Sequence, residues 1–172
     1  MKRILIIGTS GAGKSTLAQR VSKSLGLPFI ASDHFYWEQG WKVASAEKVR
    51  RQLREVIDQE AWVLDGNFDD ERELVWQQAD CILWLDYSLL TISTHIVFRN
   101  FHWLITRQPT WSGNQMTLQR ALSGIQHAIK SYPVKRRNYP RWLAQLSGVP
   151  SYRFHTRQET ETWLQSLNQQ VA

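Results

Sequence analysis

A single cysteine, Cys81, in 172 residues excludes an internal disulfide and any metal cluster built from several cysteines. No apolar run approaches the roughly 18 residues that a membrane span needs, and the uncharged stretch from Tyr87 to Phe98 is interrupted by Ser, Thr and His. Behind Met1-Lys2-Arg3 only Ile4 to Ile7 are apolar before Gly8, about half the shortest hydrophobic region of a signal peptide. The expectation is a soluble, cytoplasmic protein with no membrane partner. Internal repeats, low-complexity segments and linkers are also missing. The most informative absence is of acid. Residues 87–158 hold ten Lys/Arg and no Asp or Glu, whereas residues 1–86 hold eleven Lys/Arg against thirteen Asp/Glu. The net charge of +6 is therefore regional, which points the middle of the chain at something anionic. A solvated basic surface is the plainer alternative.

Enough apolar residues are present, 42%, to build a core, and a chain of this length fits one domain, residues 1–172. Lys2 to Ile7 is a β-branched run stopped by Gly8, the pattern of a buried strand. Leu17, Ala18, Val21 and Leu25 then recur at helical spacing up to Gly26. Further strands read at Leu27–Ala31, Ala61–Leu64, Cys81–Leu85 and Val149–Phe154, with a loop around Trp37, Gly40 and Trp41. Helices read at Ala46–Gln59 and Asp69–Gln78, then at Leu89–Thr106, Gln115–Lys130 and Val134–Leu146, with breaks at Pro109, Gly113 and Pro133, and last at Glu159–Asn168. Alternating strands and helices imply an α/β fold whose mostly parallel sheet is covered on both faces. Residues 99–140 read as a basic helical insert within it.

Gly8-Thr9-Ser10-Gly11-Ala12-Gly13-Lys14-Ser15 matches G-x-x-x-x-G-K-[ST]. Chance produces these four fixed positions in roughly 1% or less of chains this long, and here a strand precedes and a helix follows. Gly8, Gly11 and Gly13, with Ser10 and Ala12 between them, permit a loop whose N–H groups converge on an anion. The next helix offers its unpaired N–H groups to phosphate. Lys14 reaches the β/γ oxygens, the Ser15 hydroxyl is suited to Mg²⁺, and Thr16 adds a contact to a nearer phosphate. ATP and Mg²⁺ are the expected ligands. Asp65, at the end of the Trp62–Leu64 strand, is the candidate Mg²⁺-side carboxylate, and Asp86, ending the next strand, is its rival. Either could instead cap a turn.

These residues resemble the adenylate-kinase-like branch of P-loop NTPases, and more closely the bacterial DNA topology modulation, or adenylate-kinase-related, family. The matching pieces run through the chain: Lys2–Ser15, Ser32-Asp33-His34-Phe35-Tyr36-Trp37 with Gly40-Trp41, Trp62-Val63-Leu64-Asp65-Gly66-Asn67, Ala79-Asp80 before Leu85-Asp86, Tyr132-Pro133 with Lys135-Arg136-Arg137, and Phe154-His155-Thr156-Arg157. The resemblance implies a three-layer P-loop fold with a five-stranded parallel sheet of order 2-3-1-4-5, ATP·Mg at the loop, Arg157 on the nucleotide, and an acceptor site across the strand ends. One departure stands out. Nucleoside monophosphate kinases end the third strand in Asp-Gly-Phe-Pro-Arg, whereas here Asp65-Gly66-Asn67-Phe68-Asp69 lacks the Pro-Arg. The acceptor-phosphate arginine is thus missing at that place, and Arg72 is the nearest substitute.

In the small-metabolite kinases that the chain resembles, an acid after the second strand faces the acceptor hydroxyl. Asp33 holds that place, to orient or deprotonate the hydroxyl, or else simply to begin a turn. Trp37 and Trp41 either stack on a planar acceptor or cover the open edge of the core. Phosphoryl transfer also calls for positive groups around the equatorial oxygens. Arg99, Arg136 and Arg137 are the candidates, with Arg137 foremost, on a lid hinged at Pro109, Gly113 and Pro133. The expected function is an ATP-dependent phosphotransferase acting on a nucleotide or other small hydroxylated metabolite. The alternative is a nucleotide-dependent nucleic-acid binder that uses the basic half.

Overall fold

The computed structural model describes residues 1–171. In chain order the elements are β1 (Arg3–Gly8), α1 (Lys14–Leu25), β2 (Phe29–Ala31), α2 (Asp33–Tyr36), β3 (Trp37–Glu38), β4 (Lys42–Val43), α3 (Ala46–Ile57), β5 (Trp62–Asp65), α4 (Arg72–Val75), β6 (Cys81–Leu85), α5 (Leu89–Thr106), α6 (Leu118–Ala144), β7 (Ser151–Phe154) and α7 (Arg157–Val171). Short 3₁₀ turns follow α4 and precede α6.

The main sheet has the order β2-β5-β1-β6-β7, all parallel. Counting only its own strands, that order is 2-3-1-4-5, as expected. β1 is central because it is apolar on both faces. Ile4 and Ile6 pack into one core with Ala18, Val21, Ile92 and Ile96. Leu5 and Ile7 pack into the other with Leu53, Trp62, Trp76 and Tyr139. Period-two alternation feeds both cores from one strand. Parallel pairing brings the carboxyl ends of all five strands to one edge, the place where an open α/β sheet carries its site. Gly8, Asp65, Asp86 and the start of α2 all lie there.

Several elements differ from the sequence reading. Pro133 does not break a helix: α6 runs 27 residues through Pro133 and Pro140. An internal proline costs about 3 kcal/mol. Burial of Ala121, Ala128, Lys135 and Tyr139 along one face of α6 opposes that cost. The polar segment from Asp69 yields only a four-residue helix and a 3₁₀ turn, and two of its carboxylates have distant partners. Asp69 accepts from Lys135 and Tyr139, and Glu71 from Tyr36. The loop around Trp37 and Trp41 contains the antiparallel β3–β4 hairpin. The last helix starts two residues early, where the Thr156 hydroxyl accepts from Glu159 N and the Glu159 carboxylate accepts from His155 N, a reciprocal cap.

Candidate active site

The loop after β1 is built against its neighbours. Ala12 N donates to Thr9 O at 3.0 Å. Gly11 has φ +86°, and a Cβ there would collide with the Ile96 side chain of α5, so the loop can lie this close to α5 only as glycine. No side chain caps α1, whose N-cap is Gly13, so the first-turn N–H groups remain available to an anion. Ser15 and Thr16 are exposed on that turn. Lys14 folds back over the loop, its Nζ donating to Gly8 O (3.0 Å) and Thr9 O (3.3 Å). Burial, reinforced by the positive charge of Lys135, lowers its pKa to about 8.

The next strand braces this loop. Asp65 is buried and accepts from Ser32 N through one carboxylate oxygen at 2.8 Å. Gly66 N donates to Ile6 O, and Asn67 Oδ1 accepts from Gly8 N at 2.9 Å. Gly66 has φ +144° and a Cβ there would strike Ser32 and Phe68, so the Asp-Gly-Asn corner is a close backbone crossing. Asn67 thereby has a tertiary job, whereas the sequence showed it only as part of a motif.

Asp33, at the start of α2, is half-buried and its carboxylate accepts no hydrogen bond from the described residues. Burial raises its pKa to about 6, Lys14 and Arg99 pull it down, and Asp65 pushes it up. These four groups therefore share one field. Arg99 enters it from α5. Burial lowers its pKa, against the pull of Asp33. Its Nε is buried without a partner, and its guanidinium stacks on Trp103 (5.0 Å) and Trp111 (6.0 Å).

The tryptophans beside Arg99 form one connected group. Trp37, Trp41, Trp111 and Trp103 form a chain of edge-to-face contacts at 5.3, 6.1 and 5.3 Å. Asn114 ties the hairpin to the α5–α6 connection, accepting from Trp41 N and donating to Glu38 O. Trp37 and Trp41 thus pack on each other and on that connection, with Arg120 lying over both.

The other predicted cations are placed differently. Arg136 is ion-paired with Asp86 at 3.1 Å. Asp86, the rival metal ligand, is buried and also held by Arg153 at 2.6 Å, with His155 at 3.5 Å, so its oxygens are engaged. Arg137 is exposed on α6. Arg72 stacks on Trp142 at 4.7 Å and hydrogen-bonds Glu73, away from the role of acceptor arginine. The sequence reading missed Lys135. It is buried, donates to Asp69 (3.1 Å) and Tyr139 (2.8 Å), and adds its charge to that around Lys14. Its spacing from Ala121, Ala128 and Tyr139 was the available signal, since those positions share one helical face.

On the other side of the loop lies a cleft of about 290 Å³ lined by Ala12, Gly13, Thr16, Tyr87, His95 and Arg157, among others. Arg157 donates to His95 Nε2 at 2.6 Å, and the His95 Nδ1 lies 3.0 Å from Gly11 O. An arginine can only donate, so the imidazole proton sits on Nδ1 and is given to the loop carbonyl. Arg157 is thereby positioned through the phosphate loop itself. Among the described residues no group of three His, Cys, Asp or Glu side chains could hold a metal ion. The oxygen donors Ser15 and Asp65 fit a hard cation that keeps several waters.

A strand–glycine loop–helix junction at the carboxyl edge of a parallel sheet, with Lys14, Asp33, Asp65 and Arg99 in one field, defines a protein of the P-loop kinase fold. The chain belongs to the AAA domain family, whose model matches residues 4–99. Among solved structures it is similar to a shikimate kinase from Bacteroides thetaiotaomicron, at 19% identity and a TM-score of 0.62, over 99% of this chain and 98% of that one. It is also similar to an Acinetobacter baumannii shikimate kinase in complex with shikimate (16%, 0.58, 99% and 94%) and to a gluconokinase from Sinorhizobium meliloti (14%, 0.53, 99% and 95%). At these identities the likeness is one of fold. No curated protein matches the chain.

Proposed function

We propose that this protein is an ATP-dependent kinase that moves the γ-phosphoryl group of ATP to the hydroxyl of a small metabolite. The observation carrying this reading is the shared electrostatic field of Lys14, Asp33 and Arg99 beside a helix N-terminus that no side chain caps. The solved structures of similar fold are kinases of shikimate and gluconate by their names, which supports a hydroxylated acid or sugar-like acceptor. The engagement of Arg72 with Trp142 supports such an acceptor over a nucleoside monophosphate.

In this reading the nucleoside lies in the cleft beside Thr16 and Arg157, and its phosphates lie on the loop N–H groups and Lys14. Asp33 accepts the proton as the acceptor oxygen bonds to the γ-phosphorus. The bond from that phosphorus to the β,γ-bridging oxygen breaks, leaving its electron pair on ADP. Arg99 faces the charge that spreads over the equatorial oxygens. Mg²⁺ on Ser15 and, directly or through water, Asp65 would neutralise β- and γ-phosphate charge. Kinship to the DNA topology modulation family rests on the Asp33–Trp37 and Trp62–Asn67 pieces. A role on nucleic acid has less support, because Arg136 and Arg153 are engaged by Asp86 and Lys135 by Asp69.

The direct test is an ADP-release screen with ATP·Mg²⁺ against pooled sugars, hydroxy acids, nucleosides and nucleoside monophosphates. A pool that raises ADP release stoichiometrically with a phosphorylated product supports the reading. ADP release that no pool raises, together with tight duplex DNA binding, would replace it. Two variants refine the assignment. Asp65→Asn should lower Mg²⁺-dependent turnover more than it lowers metal-free nucleotide binding, since an amide is a poorer partner for a hard cation. Equal losses in the two assays would remove Asp65 from the metal side. Arg99→Ala should lower kcat at least about tenfold, or about 1.4 kcal/mol, while changing ATP affinity much less. Arg137→Ala should leave kcat close to wild type, and Arg136→Ala should lower thermal stability modestly by removing one of the two arginines paired with the buried Asp86. An intact kcat in Arg99→Ala would return the lid role to α6.

A further inference from the structure

The helices of the acid-free half present a face that the chain leaves uncovered. α5 buries Ile92, Ile96 and Asn100, and its one Lys/Arg, Arg99, lies half-buried within the field of Asp33. The opposite side of such a helix is ordinarily polar. Here it carries Leu90 (76% exposed), Val97, Phe98 (73%), Phe101 (62%) and Ile105 (64%), which recur at helical spacing on one side. With one apolar side buried and a second exposed, α5 has more apolar surface than the one stripe a surface helix ordinarily carries. α6 continues the face with exposed Leu118, Leu122 and Ile129, again at helical spacing. The two helices pack antiparallel: Asn100 Nδ2 donates to Ala121 O at 3.2 Å, and Ala128 joins the cluster of Ile92 and Ile96. Together these side chains expose roughly 900 Å² of largely apolar surface, close to the about 800 Å² per partner of a standard interface. The largest apolar patch of a typical monomer is only about 300–600 Å².

We propose that a second copy of this chain covers this face, the α5–α6 pair packing against its own two-fold mate. Three observations select that occupant over a lipid surface or a nucleic acid. The area is that of a stable dimer. The outward side of α5 carries no Lys, Arg, Asp or Glu, which matches the uncharged centre of a homodimer contact and brings no like charges together there. The tryptophans of this region, Trp103 and Trp111, the residue type that anchors a bilayer surface, are packed with Trp41 rather than presented on this face. Lys130, Arg137 and Arg141 lie along the neighbouring strip of α6 and form the rim. The dimer would brace the two helices that carry Arg99 and Lys135.

Light scattering and sedimentation equilibrium test this directly. The expected species has twice the chain mass of 20.1 kDa, and its association tightens several-fold as salt screens the basic rims. Binding to DNA or to anionic lipid weakens with salt instead. Phe98→Asp/Phe101→Asp should be monomeric, folded by circular dichroism, and within about twofold of wild type in ATP·Mg²⁺ affinity. Should that variant not fold, hydrogen exchange on the unaltered protein replaces it: amides of residues 97–105 should gain protection between about 1 and 100 µM protein. The proposal is overturned by a monomer at about 100 µM in about 0.5 M NaCl. It is equally overturned by a dimer that survives the folded double variant, by exchange that does not vary with concentration, or by a monomer that floats with phosphatidylcholine–phosphatidylglycerol vesicles.

Discussion

Replacement of Lys14 by alanine should remove most ATP binding from a folded protein. The ammonium rests on two loop carbonyls, those of Gly8 and Thr9, and burial has lowered its pKa to about 8. A triphosphate would exchange those neutral acceptors for anionic oxygens. A charge-assisted contact in a shielded loop is worth on the order of 1.5–3 kcal/mol, or about ten- to hundredfold in affinity. Turnover should fall further, because charge on the transferring group grows after the ground state. The lowered pKa adds a signature. Near pH 8 the free ammonium is partly deprotonated, and phosphate restores its proton, so ATP binding should take up a proton there. Titration calorimetry in buffers of different ionisation enthalpy reads that uptake, and the alanine variant should lose it. ATP affinity unchanged in a folded Lys14→Ala protein would remove the central claim about the loop.

Asp33→Asn should lower kcat and kcat/KM together by about 10²–10⁴-fold, the range of a general base, with ATP affinity held within about twofold. The pH profile carries the sign. Asp33 accepts a proton only when ionised, and its pKa is about 6, so kcat/KM should rise as pH increases through 6. It should fall again through about 8, as Lys14 of the free enzyme loses its charge. The alkaline limb of kcat should lie higher, because bound phosphate holds the ammonium protonated. The asparagine variant should lose the acid limb and keep the alkaline one. Stability should move the other way. The folded value of Asp33 is raised above that of the unfolded chain, so the folded state binds more protons between about pH 4 and 6 and loses stability as pH rises through that window. Asp33→Asn escapes that loss, and its melting temperature at pH 7 should be equal to wild type or higher. A kcat unchanged by the substitution would leave Asp33 as the first residue of a short helix and nothing more.

The phosphate loop was legible in the sequence because its geometry closes within eight residues. Glycines at fixed spacing, a strand before and a helix after are local conditions, and the chain meets them without help from distant parts. The strands were legible for a similar reason: a strand buried on both faces needs an unbroken apolar run, and Ile4–Ile7, Trp62–Leu64 and Cys81–Leu85 supply it. Resemblance to a known family supplied the strand order, which periodicity alone does not contain.

What only the tertiary structure decided concerns which charges meet. Arg99, Arg136 and Arg137 were alike as residues in an acid-free stretch. The fold turns Arg99 toward Asp33 and Lys14, pairs Arg136 with Asp86 fifty residues earlier, and leaves Arg137 exposed. Proline read locally predicts a break at Pro133, yet the buried face of Ala128, Lys135 and Tyr139 carries α6 through it. Lys135 was visible as one of three basic residues, and its burial follows only from the helix continuing. Trp41 finds its partner seventy residues away, in Trp111, which in turn meets Trp103. Local sequence sets backbone conformation through short-range sterics and hydrogen bonds. The role of a long polar side chain depends on which distant group shares its low-dielectric surroundings, and that pairing exists only once the sheet has assembled.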